Sequence, residues 1–227
     1  MRKIQRLRPA SVAGAVAVLA VAVAACGGPA PTAAAPTSTA PAAAPTSVSA
    51  APGGVTQPGD VFGPACNQLP QDGQPGSAVR VASVPVASAI EANPLLRTLT
   101  TALRKGALID TLNQQKEITV FAPYDRGFEN FQQNLGADRF NAVLADQNTL
   151  GDVLKYHVVA KRYDRAGLVA AGTVTTLQGG SVRIKDAGDT MEITDNTGVT
   201  SHVLCGNIPT ANATLFIIDQ VMQPKNP

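Results

Sequence analysis

Glu117-Ile118-Thr119-Val120-Phe121-Ala122-Pro123-Tyr124-Asp125-Arg126-Gly127-Phe128 decides the architecture of this chain. Ile118, Val120 and Phe121 are strand formers. Pro123 lacks an N–H and cannot continue a central strand. Asp125 is a suitable N-cap for a helix that buries Phe128 and Phe131. The stretch therefore predicts a buried strand that turns directly into a helix, with Val120 and Phe121 in the core.

Upstream of this stretch, four short-range patterns stand out. Val84 to Asn93 reads as a short helix. Asn93-Pro94 supplies a cap and a first-turn proline for a helix carrying Leu95, Leu96, Leu99, Ala102 and Leu103. Arg104-Lys105-Gly106 closes it. Ala107 to Asn113 is a third helix. Downstream, helices are expected over Gly127–Asn134, Ala137–Ala145 and Thr149–Tyr156, then a strand over His157–Val159. From Thr173 the pattern changes to short strands: Val174–Leu177, Val182–Ile184, Met191–Ile193, Val203–Cys205, Gly206–Pro209 and Thr214–Val221. Turn signals at Gly179-Gly180, Asp186–Asp189 and Asp195–Gly198 separate them. A helical N-terminal half followed by a strand-rich C-terminal half indicates an α+β domain. No internal repeat is present, so residues 60–227 form one module: a lead-in at 60–77, the domain at 78–224 and a tail at 225–227.

The first 59 residues have a different character. Residues 1–25 read as an export signal, with a basic start at Arg2, Lys3, Arg6 and Arg8 and an uncharged run from Ala10 to Ala25. The run is shorter than the roughly 20 apolar residues of a spanning helix and suits a signal-peptide core; a retained anchor helix is the alternative. Val23-Ala24-Ala25-Cys26 resembles the lipobox of bacterial lipoproteins, which implies that Cys26 becomes the lipidated N-terminus and a membrane anchor. Residues 26–59 form a tether; its stretch 27–59 has seven prolines, ten alanines and no charge. Such a stretch cannot offset the entropy of ordering. Extended, it spans roughly 100 Å at ~3.1 Å per residue.

Charge and cysteines bound the function. The chain has 18 Lys+Arg and 16 Asp+Glu; loss of the four basic leader residues leaves a formal charge near −2. No basic patch for nucleic acid survives. Beyond Cys26, Cys66 and Cys205 are an even pair in an exported chain. An oxidising compartment favours a disulfide between them, with two buried free thiols as the alternative.

Thr119-Val120-Phe121-Ala122-Pro123 with Phe128 resembles the first signature of the fasciclin (FAS1) domain. Leu154-Lys155-Tyr156-His157-Val158-Val159 is similar to its tyrosine-histidine segment. Ala213 through Pro224, including Ile218-Asp219-Gln220-Val221 and the final Pro224, is similar to its C-terminal signature. The resemblance implies a single FAS1 domain, a β-sandwich or wedge with packed helices. Gly63-Pro64-Ala65-Cys66 and the segment Cys205 to Thr214 are similar to the mycobacterial single-FAS1 surface lipoproteins and their secreted antigen relatives, in which the two cysteines are joined. That implies a lipid-anchored surface antigen on the outer face of the cell membrane, also released outside the cell. It would be a monomer that meets a protein or glycan partner on host or envelope, with a lipidated N-terminus of the kind host Toll-like receptors recognise.

Chemistry beyond binding finds little support in the residues. His157 and His202 are the only histidines, and His157 is expected to fix a strand. No nucleophile elbow is present, so no catalysis and no cofactor are expected. Asp186, Asp189, Glu192 and Asp195 fit no calcium loop and read as solvated hairpin turns, so no metal is expected. Asn212-Ala213-Thr214 is a formal glycosylation triplet, read as incidental. The candidate contact surface is the turn Tyr124, Asp125 and Arg126, where the chain departs from the usual signature, together with the face near Tyr156, for which a core position is the alternative. An apolar groove between helices and sheet, binding a cell-wall lipid or glycolipid, is the alternative function. A structural envelope role is the third.

Overall fold

A computed structural model describes residues 54–225. The expected signal, Cys26 and the tether up to residue 53 lie outside them. Four helices come first: α1 (Ala78–Val81), α2 (Val86–Ala92), α3 (Arg97–Lys105) and α4 (Ile109–Gln114). Strand β1 (Ile118–Pro123) leads into α5 (Asp125–Leu135), α6 (Ala137–Ala145) and α7 (Gln147–Tyr156). Then come β2 (Val158–Val159), α8 (Arg165–Ala171), β3 (Thr173–Thr175), β4 (Ser181–Ala187), β5 (Thr190–Thr194), β6 (Thr200–Pro209) and β7 (Ala213–Ile218). The α+β expectation holds.

The strands form one seven-stranded sheet in the order β2-β1-β7-β6-β5-β4-β3. Only β1 and β7 run parallel. The two ends of the order meet: Val159 bridges Thr176, and Leu177 donates its N–H to the Val158 carbonyl at 2.7 Å. The sheet is thereby rolled into a wedge whose edges are paired, which removes the exposed strand edges that invite aggregation.

Two cores follow from the side-chain alternation of β1 and β7. Ile118, Val120 and Ala122 of β1, with Ala213, Leu215 and Ile217 of β7, pack against the helices. Phe121, Phe216 and Ile218 point into the roll, against Tyr156, Val182, Met191 and Val203. Both faces of the parallel pair are buried, which is why these strands read as unbroken apolar runs rather than alternating ones.

Several expected boundaries move. The helix expected from Pro94 starts at Arg97, because the Asn93 carboxamide accepts the Leu95 N–H and holds Pro94 in a turn. The segments Val203–Cys205 and Gly206–Pro209 are one strand, β6, with register shifts between Val203, Cys205 and Ile208. Helix α8 was not anticipated; it carries one buried residue, Leu168, too few to show a period.

The tether expected to run to residue 59 is already docked at Gly54. The Gly54 carbonyl accepts the Thr214 hydroxyl at 2.9 Å. Gly54 has φ +72°, and a Cβ there would lie 2.5 Å from the Arg162 carbonyl oxygen. From Gly54 the chain runs as a strap along β6. Phe62 bridges Gly206, and Cys66 is joined to Cys205 with Cα atoms 4.8 Å apart. The expected disulfide is present. A Cβ on Gly206 would meet the rings of Phe216 and Phe62, both at 2.6 Å, so only glycine lets the strap lie this close.

Candidate functional site

The turn between β1 and α5 carries three of the four candidate contact residues. Arg126 is exposed, and Tyr124 and Asp125 are half-buried. Tyr124 is pinned by its backbone, its N–H donating to the Ile218 carbonyl at 3.1 Å. Asp125 was expected to cap the helix it opens. It instead occupies the first position of α5, and its carboxylate accepts the Thr98 N–H of α3 at 2.8 Å. A carboxylate at the start of α3 satisfies one orphan donor there and complements the helix dipole. The turn borders a shallow cleft of about 460 Å³ shared with Pro94, Leu95, Gln68 and Leu204.

Tyr156 does not share that surface. It is wholly buried inside the roll. Its hydroxyl donates to the Ser181 carbonyl at 2.9 Å and accepts the Asn196 N–H at 3.0 Å. Burial raises the phenol pKa. The last residue of α7 points inward, and its one polar atom finds two backbone partners. Tyr156 is therefore a core residue, and its place among the contact residues is corrected.

His157 has the same character. Nδ1 lies 2.7 Å from the Val153 carbonyl, and Nε2 lies 3.0 Å from the Met222 nitrogen. The Met222 N–H can only donate, so Nε2 accepts and the proton sits on Nδ1. Both ring nitrogens are committed to backbone, which leaves no general base there. Burial pushes this imidazole down to about 4.

The acidic cluster also needs correction. Asp195 was expected in a solvated turn but is buried. Its Oδ1 accepts the Thr197 and Val199 N–H groups, and its Oδ2 accepts the Gln223 N–H at 3.0 Å. Asp186 pairs with Arg165 at 2.6 Å, and the guanidinium holds the carboxyl below the usual carboxylate range. The described residues contain no group of three or more His, Cys, Asp or Glu placed to hold a metal. Asn212 of the glycosylation triplet is buried, with its amide donating to the Leu112 and Gln115 carbonyls and its oxygen accepting the Val86 N–H.

The space between helices and sheet, the proposed lipid groove, is packed. A cavity of about 20 Å³, room for about one water, lies between residues such as Leu99, Phe128, Phe131 and Phe140, far below the roughly 300 Å³ of a small-molecule pocket. The large depression lies elsewhere, between the strap and α8, with about 650 Å³ of space. Sequence reasoning missed it because its walls come from four distant segments: the strap, α8 with its Asp164 cap, Asp186 of β4 and the Asn207 bulge. The Asp164 cap and the positive-φ Gly172 that bracket α8 were the available signal.

Residues 94–224 match the fasciclin domain family. The chain belongs to that family. Relatives of this fasciclin-domain chain include the immunogenic protein MPB70 of Mycobacterium bovis, 36% identical over 173 residues that span 73% of this chain and 83% of that protein. The cell surface glycolipoprotein MPT83 of Mycobacterium tuberculosis is 33% identical over 225 residues, 96% of each chain. A solved FAS1 domain pair from the insect cell adhesion molecule fasciclin I shares the fold, with a TM-score of 0.55 at 18% identity over 62% of this chain and 51% of that one. Relatives of this fasciclin domain are thus surface glycolipoproteins and immunogenic proteins.

The family's marks are architectural in this fasciclin domain. Thr119 donates to the Lys161 carbonyl and accepts the Tyr163 N–H. Asp219 accepts the His202 N–H at 2.7 Å and lies 3.1 Å from its ring. Phe128 and Pro224 are buried. No described helix is long and apolar enough to cross a membrane.

Proposed function

We propose that this protein is a lipid-anchored cell-surface interaction module, with its fasciclin domain as the binding part and the turn Tyr124–Arg126 as the contact surface. The observation that carries this is the match over 96% of both chains to a cell surface glycolipoprotein, which extends beyond the domain to the N-terminal region. The lipobox-like Val23–Cys26 supports the anchor. At the turn, the backbone is fixed by Ile218 and Leu95 and the Asp125 carboxylate by Thr98, while the Arg126 side chain is exposed beside an open cleft. A rigid frame with a free side chain suits recognition, because little ordering entropy is lost on binding.

Two measurements test the proposal. Metabolic labelling with an alkyne fatty acid should tag the wild-type chain and not Cys26→Ala, and the variant should move from the cell fraction to the medium. Binding to host cells or matrix should fall for Arg126→Ala at unchanged melting temperature, and further for the Tyr124→Ala, Arg126→Ala double variant at a temperature where it remains folded. An untagged wild type removes the anchor; undiminished binding removes the site.

A further inference from the structure

The depression between the strap and α8 has a specific make-up. Val55, Phe62, Ala166 and Val169 give it apolar walls. Its charged lining is Asp60, Asp164 and Asp186 against one cation, Arg165. That cation is already neutralised. Its guanidinium lies 4.4 Å from the centre of the Phe62 ring, and it donates to Asp186 and to the carbonyls of Gly188 and Thr190. The groove thus holds one guanidinium on an aromatic face, with carboxylates to spare.

One buried polar atom of the groove lining lacks a partner, and one lining carboxylate keeps an oxygen open to accept. Asp164 is 9% exposed. Its Oδ1 accepts the Gly167 N–H at 2.7 Å, while no donor among the described residues reaches Oδ2. Thr56, 5% exposed, has a buried hydroxyl with no hydrogen-bond partner among the described residues. Buried polar groups are ordinarily paired, and an excess of carboxylate in an apolar cleft favours a positively charged occupant.

We propose that this groove is the docking site for a basic side chain, lysine or arginine, flanked by apolar residues in a peptide segment of a protein partner. The apolar stem would lie along Val55 and Val169, and the charged end would reach Asp164 and Asp60. This rests on the protein-binding reading above and adds the chemistry of the partner. It is a second contact region, on different elements from the Tyr124–Arg126 turn.

The test is a titration of the ¹⁵N-labelled full chain with acetyl-Leu-Lys-Leu-amide and, separately, acetyl-Leu-Glu-Leu-amide, followed by amide shifts. The lysine peptide should shift Val55, Phe62, Ala166 and Val169, and the glutamate peptide should not. The Asp60→Asn, Asp164→Asn double variant keeps the side-chain oxygens that accept the Gln57 and Gly167 N–H groups and should weaken binding about tenfold; added salt should weaken it too. The Ala166→Lys variant, changed at an exposed helix position, should block it with no change in melting temperature. No shift in the groove, equal shifts from both peptides, or undiminished binding by both variants would overturn the proposal. If the Tyr124/Arg126 variant loses its cell-surface binding while the lysine peptide never perturbs the groove, the interaction role stands and the groove assignment falls.

Discussion

The carboxylate of Asp125 accepts the backbone N–H of Thr98 at 2.8 Å, and the Asp125 N–H donates to the Leu95 carbonyl at 3.0 Å. One residue of this turn therefore ties the start of α5 to the start of α3. The turn is held from both sides, and its sequence is constrained by a helix far from it in the chain.

Asp125→Ala should remove that cap while leaving the backbone bond to Leu95. The expected cost is ~1 kcal/mol, read as a fall of several degrees in melting temperature. Asp125→Asn keeps an acceptor and should lose less than half as much. An Asn variant as unstable as the Ala variant would show that charge, not capping, holds the turn.

His157 should make stability fall as the solution is acidified. Its pKa is depressed from 6.5 to about 4 by burial, so between those values the unfolded chain binds more protons than the folded one. Stability is therefore full above about pH 6.5 and lost progressively down to about pH 4, by ~3 kcal/mol in total. Asp186, also depressed, acts below the usual carboxylate value and so outside most of this window. Urea unfolding at several pH values checks this. His157→Gln should start less stable and show a flatter profile from pH 6.5 to 4.5.

Reduction of Cys66–Cys205 should destabilise the domain strongly. The bridge joins residues 139 apart in sequence, a closure worth up to ~5 kcal/mol in the chain-entropy account. The paired Cys66→Ser, Cys205→Ser variant should match the reduced protein in denaturant midpoint, and reductant should then have no further effect on it.

Gly206→Ala should be costly although it adds one methyl group. The new Cβ would press on the Phe62 and Phe216 rings, and overpacking of this kind typically costs ~1–3 kcal/mol. If Phe62→Leu in the same chain restores much of the loss, the strap contact is the cause.

How far the sequence reveals this molecule depends on the range of each interaction. β1 was legible because its apolar run and Pro123 are contiguous, and β7 for the same reason. The pairing of those two strands in parallel was not, since nothing local distinguishes it. Asp125 was read correctly as a cap but assigned to the wrong helix, because its partner Thr98 is brought there only by tertiary packing. Tyr156 was open between contact residue and core, and only the folded chain, by supplying Ser181 and Asn196 for its hydroxyl, decides for the core. β6 read as two abutting strands, Val203–Cys205 and Gly206–Pro209; the register shift between Cys205 and Ile208, where Asn207 holds a φ of +57°, falls at that division.

The disulfide sits part-way along the strap, and that position matters under load. A pull delivered through Gly54 first strips the segment up to Cys66, which can extend to a span of at most ~40 Å at roughly 3.4 Å per residue. The covalent link then passes the tension to Cys205 in β6, a strand hydrogen-bonded on both sides by β5 and β7. The bond thus divides the domain into a stretch that yields and a body that bears, as a shock cord fixed to a beam.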